Sequence, residues 1–194
     1  GIQRVQELSA ALWDNLDIQV VPPFFDNPGL ASAVVENGQP ILDEVAPEHI
    51  LFSFHGLPER HIRKCDPTGT HCFEVENCCE SVGPNNPNCY RAQCYATARL
   101  VAAQLDLNPG QWTVSFQSRL GRTPWIRPYT DVVLEDLTGQ GVQSLVVFCP
   151  AFVADCLETL EEIGIRAQED FQAMGGKTLR LVPAVNASET WVNA

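Results

Sequence analysis

Apolar residues along this chain gather in short runs at 18–21, 50–54, 112–116, 145–148 and 179–182, each closed by proline, glycine or a polar break. Runs of this length, rich in β-branched and aromatic residues and without strict alternation, suit strands buried on both faces of a parallel sheet. Between them, apolar positions recur at helical spacing over 3–16, 28–42, 92–105, 129–140 and 155–174. Strand and helix alternate, which predicts an α/β domain with a parallel sheet, flanking helices and right-handed crossovers. In the last helical stretch Leu157, Leu160, Gly164, Ala167 and Phe171 form the predicted core stripe. Asp155, Glu158 and Glu162 fall together on another face.

One segment breaks the alternation. Residues 65–89 are rich in Cys, Asn, Pro, Gly, Glu and Thr and show almost no apolar periodicity. A loop of that length is uncommon unless something orders it. Of the eight cysteines, Cys65, Cys72, Cys78, Cys79, Cys89 and Cys94 crowd into or beside this segment. Disulfides need an oxidising compartment that no other feature supports, so the density predicts an irregular metal-binding insert.

Charge narrows the choice of partners. A formal net charge of −12 opposes binding to nucleic acid or anionic lipid. No stretch approaches the roughly 20 apolar residues of a spanning helix, and the first residues lack the apolar core of a signal peptide. The expectation is a cytoplasmic protein without a transmembrane segment.

Ligands of open parallel sheets sit beyond the carboxyl ends of the strands. There this chain offers His55-Gly56-Leu57-Pro58, Gln117-Ser118-Arg119 and Cys149-Pro150-Ala151-Phe152. His55 stands where a neutral imidazole binds a metal or accepts a proton near neutral pH, or is simply satisfied by a loop's backbone. His61 and His71 read as loop residues, His71 also as an alternative metal ligand. A carboxylate row is most often a solvated surface, but this row starts directly after a strand end, where it would face the crevice and draw in a divalent cation or protons. Trp125 and Phe152 offer flat surfaces to a planar ligand or to the core. Arg119, Arg122 and Arg127 surround Trp125 and suit either an anionic ligand or solvent.

Three ordered blocks resemble the ferrochelatases. They are Leu51-Phe52-Ser53-Phe54-His55-Gly56-Leu57-Pro58-Glu59-Arg60; Phe116-Gln117-Ser118-Arg119-Leu120-Gly121-Arg122-Thr123-Pro124-Trp125 with Pro128-Tyr129-Thr130-Asp131; and the stretch from Cys149 to Glu162. The resemblance implies a Rossmann-like, chelatase-like domain and a lyase that inserts Fe2+ into protoporphyrin IX or coproporphyrin in haem biosynthesis. It carries the family's catalytic roles to His55 and Glu158, and places Glu162 with them on the path of the substrate iron. It puts Trp125, Ser118 and Phe152 beside the porphyrin. It further implies that residues 1–49 cross from a missing N-terminal domain and that 50–194 form the C-terminal chelatase domain. The N-terminal half of the same enzyme is then a partner, a homodimer is allowed, and the chain alone is expected to be an inactive fragment.

Relatives without the insert run from a Gly-Asp-Pro-Tyr turn straight into the next helix, whereas here Cys65-Asp66-Pro67 opens the turn and Tyr90 resumes it. Some ferrochelatases hold a [2Fe–2S] cluster in such a segment, which requires four thiolates. Cys94, Cys149 and Cys156 are set aside because they belong to the common frame. The expected cluster ligands are Cys65, Cys72, Cys79 and Cys89, with Cys78 as the alternate. Zinc on the same thiolates is the competing cofactor. Two other functions compete as well, a cobalt or nickel tetrapyrrole chelatase and a non-catalytic iron–sulfur sensing module.

Overall fold

The later four apolar runs become strands β1 (His49–His55), β2 (Trp112–Gln117), β3 (Ser144–Phe148) and β4 (Thr178–Leu181). They pair in parallel in the order β2-β1-β3-β4, with Ile50 opposite both Trp112 and Val146. The chain winds from β1 outward to β2 on one side and from β3 to β4 on the other. The winding therefore reverses between β1 and β3, and a crevice opens beyond the carboxyl ends of those two strands. The computed structural model describes residues 2–13 and 16–194.

The first apolar run, 18–21, forms no strand, contrary to expectation. Val20 and Val21 are exposed, and among the described residues no neighbour takes their backbone hydrogen bonds. An apolar run becomes a strand only when another strand pairs with it.

Helices α1 (Ile2–Leu12), α2 (Pro28–Val45), α3 (Glu59–Lys64), α4 (Tyr90–Gln104) and α5 (Thr130–Gly139) precede and follow these strands. The expected helix over 3–16 ends at Leu12, and its positions 14 and 15 lie outside the described residues. At α2, Asn27 accepts from the N–H groups of Gly29 and Leu30, and Pro28 occupies the first turn where a missing N–H costs nothing. One face of the sheet, with Phe52, Phe54, Phe116 and Phe148, packs on α2 and α4 through Leu30, Val34, Ala98 and Val101. The other face, with Leu51, Leu145, Val147 and Leu179, packs on α5 through Leu134 and Leu137. Helix α2, which falls in the expected crossing segment, is thus part of the core of this domain.

The stretch 155–174 is not one α-helix. It divides into α6 (Leu157–Leu160), a π-helical segment (Glu162–Ala167) and α7 (Gln168–Ala173). The inward side chains are Thr159, Ile163, Ala167 and Phe171, four residues apart. A π segment has a wider turn than the 3.6-residue α-helix, so a stripe read at α spacing goes out of phase across it. That corrects the predicted stripe, because Leu157 is 77% and Leu160 53% exposed. Asp155 is corrected as well. It precedes α6 and accepts from the Ala184 N–H (3.0 Å) and Asn186 Nδ2 (2.8 Å), tying the strand-end loop to the segment before α8 (Glu189–Val192).

The insert has sources of order besides cysteine. The Asp66 carboxylate accepts from the N–H groups of Thr68, Gly69, His71 and Cys72 and from the Thr68 hydroxyl. Buried Asn86 donates to the carbonyls of Cys78 and Ser81 and accepts from the Gly83 N–H. Two polar side chains thereby satisfy backbone groups that have no regular secondary structure to pair with.

Candidate active site

His55 ends β1, at the crevice. Its Nδ1–H donates to the Gly56 carbonyl at 2.6 Å, which leaves Nε2 as the basic nitrogen of the neutral ring. Trp125 and Phe152 flank the imidazole, with ring centroids 6.3 and 6.2 Å away. Trp125 is held by its indole N–H on the Leu120 carbonyl and by backbone pairing with Pro58. The structure therefore gathers three of the expected site residues, one from each strand end.

Glu158 and Glu162 reach the same region from α6 and the π segment. The Glu158 carboxylate is held below the usual carboxylate range, first by its own backbone N–H, then by the Cys156 side chain, with a further contribution from the positive form of His55. Glu162 accepts from the Ser118 N–H (2.7 Å), the Ser118 hydroxyl (2.5 Å) and Gln117 Nε2 (3.3 Å). Ser118, expected beside the porphyrin, thus touches the acid directly. The π turn sits where the two acids follow one another, in keeping with the tendency of π segments to mark functional sites.

Gln117 was legible only as a strand-end amide, yet it joins the site together. Its Oε1 accepts from Ser53 (2.8 Å) and from the Cys149 thiol, while Nε2 donates to the Glu158 carbonyl (2.5 Å) and to Glu162. Behind it, Thr130 links the hydroxyls of Ser53 and Ser115. No sequence signal marks this buried polar chain, because its members lie on different elements. Arg119 is closed on Asp131 by two hydrogen bonds and lies 4.2 Å over the Tyr129 ring. It holds an internal partner, while Arg122 is exposed.

In the insert Cys72, Cys78, Cys79 and Cys89 are buried together. Cys78 and Cys79 sulfurs are 3.8 Å apart, and the Cys89 thiol lies against both Cys79 and Cys72. Arg91 Nη1 donates to Cys79 Sγ at 3.2 Å. The contact with Cys79 lowers the Cys89 thiol, and its counterpart, together with burial, raises Cys79. Cys65 caps the end of α3, is exposed, and makes no thiol contact among the described residues. Among those residues no three His, Cys, Asp or Glu side chains converge on a point that one metal ion would occupy. His71 instead directs Nε2 to the Cys78 carbonyl, and among the described residues no helix is long and apolar enough to cross a membrane.

A parallel α/β sheet with an imidazole at one strand end, Glu158 near it and Glu162 bound at the neighbouring strand end defines a Rossmann-like domain with a His–Glu site. The ferrochelatase family model matches residues 2–194, and the chain belongs to that family. It is 51% identical over 181 residues to a ferrochelatase of Ectopseudomonas mendocina (strain ymp), covering 93% of this chain and 53% of that protein. It is 51% identical over 182 residues to one of Pseudomonas fluorescens (strain Pf0-1), covering 92% and 53%, and 49% identical over 190 residues to one of Pseudomonas savastanoi pv. phaseolicola, covering 98% and 56%. The chain spans about half the length of the curated relatives it matches.

Proposed function

We propose that this chain supplies the His55, Glu158 and Glu162 side of a chelatase cleft that inserts Fe2+ into a porphyrin, with the N-terminal half of the same enzyme closing the other side. The observations that carry this reading are His55 at the end of β1 with Glu158 close enough to feel its charge, and Glu162 held at the neighbouring strand end by Ser118 and Gln117, in a ferrochelatase-family fold. Insertion removes two pyrrole protons for each Fe2+ that enters. His55 accepts one through Nε2, the position its bond to Gly56 leaves basic, and the other passes to water in the cleft. Glu158, kept ionised, attracts the cation and replaces its water, and Glu162 continues the acidic path behind it. Trp125 and Phe152 give the macrocycle flat surfaces beside the imidazole. In full-length protein, H55A and E158A should each lower Fe2+ insertion, followed by porphyrin absorbance, by the roughly 10²–10⁴-fold that a positioned proton acceptor contributes. Insertion at the parental rate in both variants would sink the reading.

We further propose that the insert holds a [2Fe–2S] cluster. The donor set fits, since four buried thiols adjoin one another and a guanidinium points at one sulfur, which favours the thiolate. Four thiolates shared between two irons need not meet at a single point, whereas one zinc ion needs all four to do so. Cys72, Cys79 and Cys89 would ligate, with Cys78 or Cys65 as the fourth. Such a group supplies one-electron chemistry and fastens the insert to α4. Iron and sulfide analysis with EPR of the reduced full-length protein tests this, and a colourless protein containing zinc overturns it.

A further inference from the structure

The chain is strongly acidic, and Arg4, Arg63, Arg119, Arg166 and Arg180 each hold a carboxylate. Arg91, Arg99 and Arg127 hold none among the described residues, and all three line one cavity of about 630 Å³ between α4 and the cysteine loop. Arg91, Tyr95 and Arg99 stand at i, i+4 and i+8 on α4 and therefore share one face. Arg91 is fixed in place, because its Nε donates to the Arg127 carbonyl (3.0 Å), Nη1 donates to Cys79 and its guanidinium lies 5.2 Å over Tyr95. Arg127 rests 5.4 Å over Tyr129, and neither its guanidinium nor that of Arg99 has a hydrogen-bond acceptor among the described residues. Phe73 and Val75 add apolar surface to the cavity lining.

We propose that this cavity binds a small organic oxyanion bearing two or more carboxylate or phosphate charges. Arg99 and Arg127 receive the charged groups, Arg91 supplies a fixed positive background, and Tyr95, Phe73 and Val75 cover the organic body. The volume suits a small-molecule ligand, and planar guanidinium forks with open donors suit carboxylate or phosphate. Glu59 and Glu80 also line the cavity, but neither pairs with these arginines; Cys78 and Cys79, which belong to the proposed cluster set, form part of its wall, and Cys79 occupies Arg91, which leaves Arg99 and Arg127 open to the ligand. In an acidic protein a cationic pocket of this kind also concentrates anions locally. The site stands apart from the His55 crevice and does not depend on what that crevice does.

Titration calorimetry of the full-length protein with citrate and, separately, with inorganic phosphate tests the proposal at low ionic strength. At least one of the two should bind, and the R99A/R127A variant should weaken it at least about tenfold. Citrate alone points to a polycarboxylate, phosphate alone to a phosphorylated ligand, and either result supports the site. The R60A/R122A variant removes two arginines that hold no carboxylate and lie outside the cavity, and it should bind like the parent. Thermal melting establishes that each variant is folded, and R127A alone serves if the double variant is not. Absence of binding by both anions at millimolar concentration overturns the proposal. So does an equal loss in R60A/R122A, which would reveal diffuse charge attraction.

Discussion

Ser118 grips Glu162 at both carboxylate oxygens, its N–H meeting Oε1 at 2.7 Å and its hydroxyl meeting Oε2 at 2.5 Å. The residue sits at φ 63, in the left-handed region, and that conformation at the end of β2 brings both donors toward one acid. In S118A the N–H remains and the hydroxyl is lost. A hydrogen bond to a charged group contributes about 1.5–3 kcal/mol, less where water competes, as at this half-buried acid. The expected result in full-length enzyme is a fall of about five- to tenfold in kcat/KM for Fe2+, with porphyrin KM unchanged. A rise in porphyrin KM alone would instead put Ser118 against the macrocycle, as the family resemblance implied.

Gly38 lies where α2 crosses the ring of Phe148, and a Cβ there would stand 2.3 Å from Cε1. Phe148 is buried and packed 5.6 Å from Phe52, so the ring has no space to retreat. G38A should gain up to about 1 kcal/mol of helix propensity and lose more to overpacking, typically about 1–3 kcal/mol with occasional larger costs. A lowered thermal midpoint is expected by differential scanning fluorimetry, and a raised one would show that α2 can shift.

The strands were legible because their apolar runs are buried on both faces, so composition alone marks them. The run at 18–21 has the same composition without a partner, and pairing is a tertiary fact that no local window contains. The α6 to α7 stretch was misread for a different reason. Its hydrophobic pattern is periodic, but the π turn between Glu162 and Ala167 changes the period, and Leu157 and Leu160 then face outward. His55, Glu158 and Glu162 could be singled out by position because they follow strand ends, while their assigned roles rest on the resemblance to ferrochelatases. Gln117 carries no sequence signal because its importance lies in four contacts to other elements, and Asp66 carries none because its acceptor role depends on how residues 65–89 fold.

Two groups give stability a dependence on pH in separate windows. Burial lowers His49, whose Nε2 meets the Thr113 hydroxyl at 2.9 Å. Its ring is neutral in both states above pH 6.5, its ordinary value. As pH falls below that value the unfolded chain takes up the proton first, and stability declines toward the depressed native value. Asp66 is lowered chiefly by the Cys72 N–H, so its contribution is present above 3.8 and is lost as pH falls through the native value. Urea denaturation between pH 8 and 5 should show a decline that H49Q removes and D66N leaves in place. In D66N, hydrogen exchange at neutral pH should quicken at Thr68, Gly69, His71 and Cys72, the amides that Asp66 accepts from. Unchanged exchange there would mean that the insert is ordered from elsewhere.

The choice between Cys65 and Cys78 as fourth ligand is testable because the two thiols differ in place. Cys78 is buried beside Cys79, whereas Cys65 is exposed at the end of α3. Adjacent cysteines rarely both reach one small cluster, yet here both are buried with their sulfurs 3.8 Å apart. Moving Cys65 inward would uncoil the end of α3, where its N–H bonds to the Ile62 and Arg63 carbonyls. C78S should therefore lose most bound iron and sulfide, and C65S should keep the parental content and EPR signal. C72S and C89S should behave like C78S, since each removes one of the four thiolates the cluster needs. If C65S empties the insert while C78S does not, the turn after α3 rearranges on assembly and Cys65 is the fourth ligand.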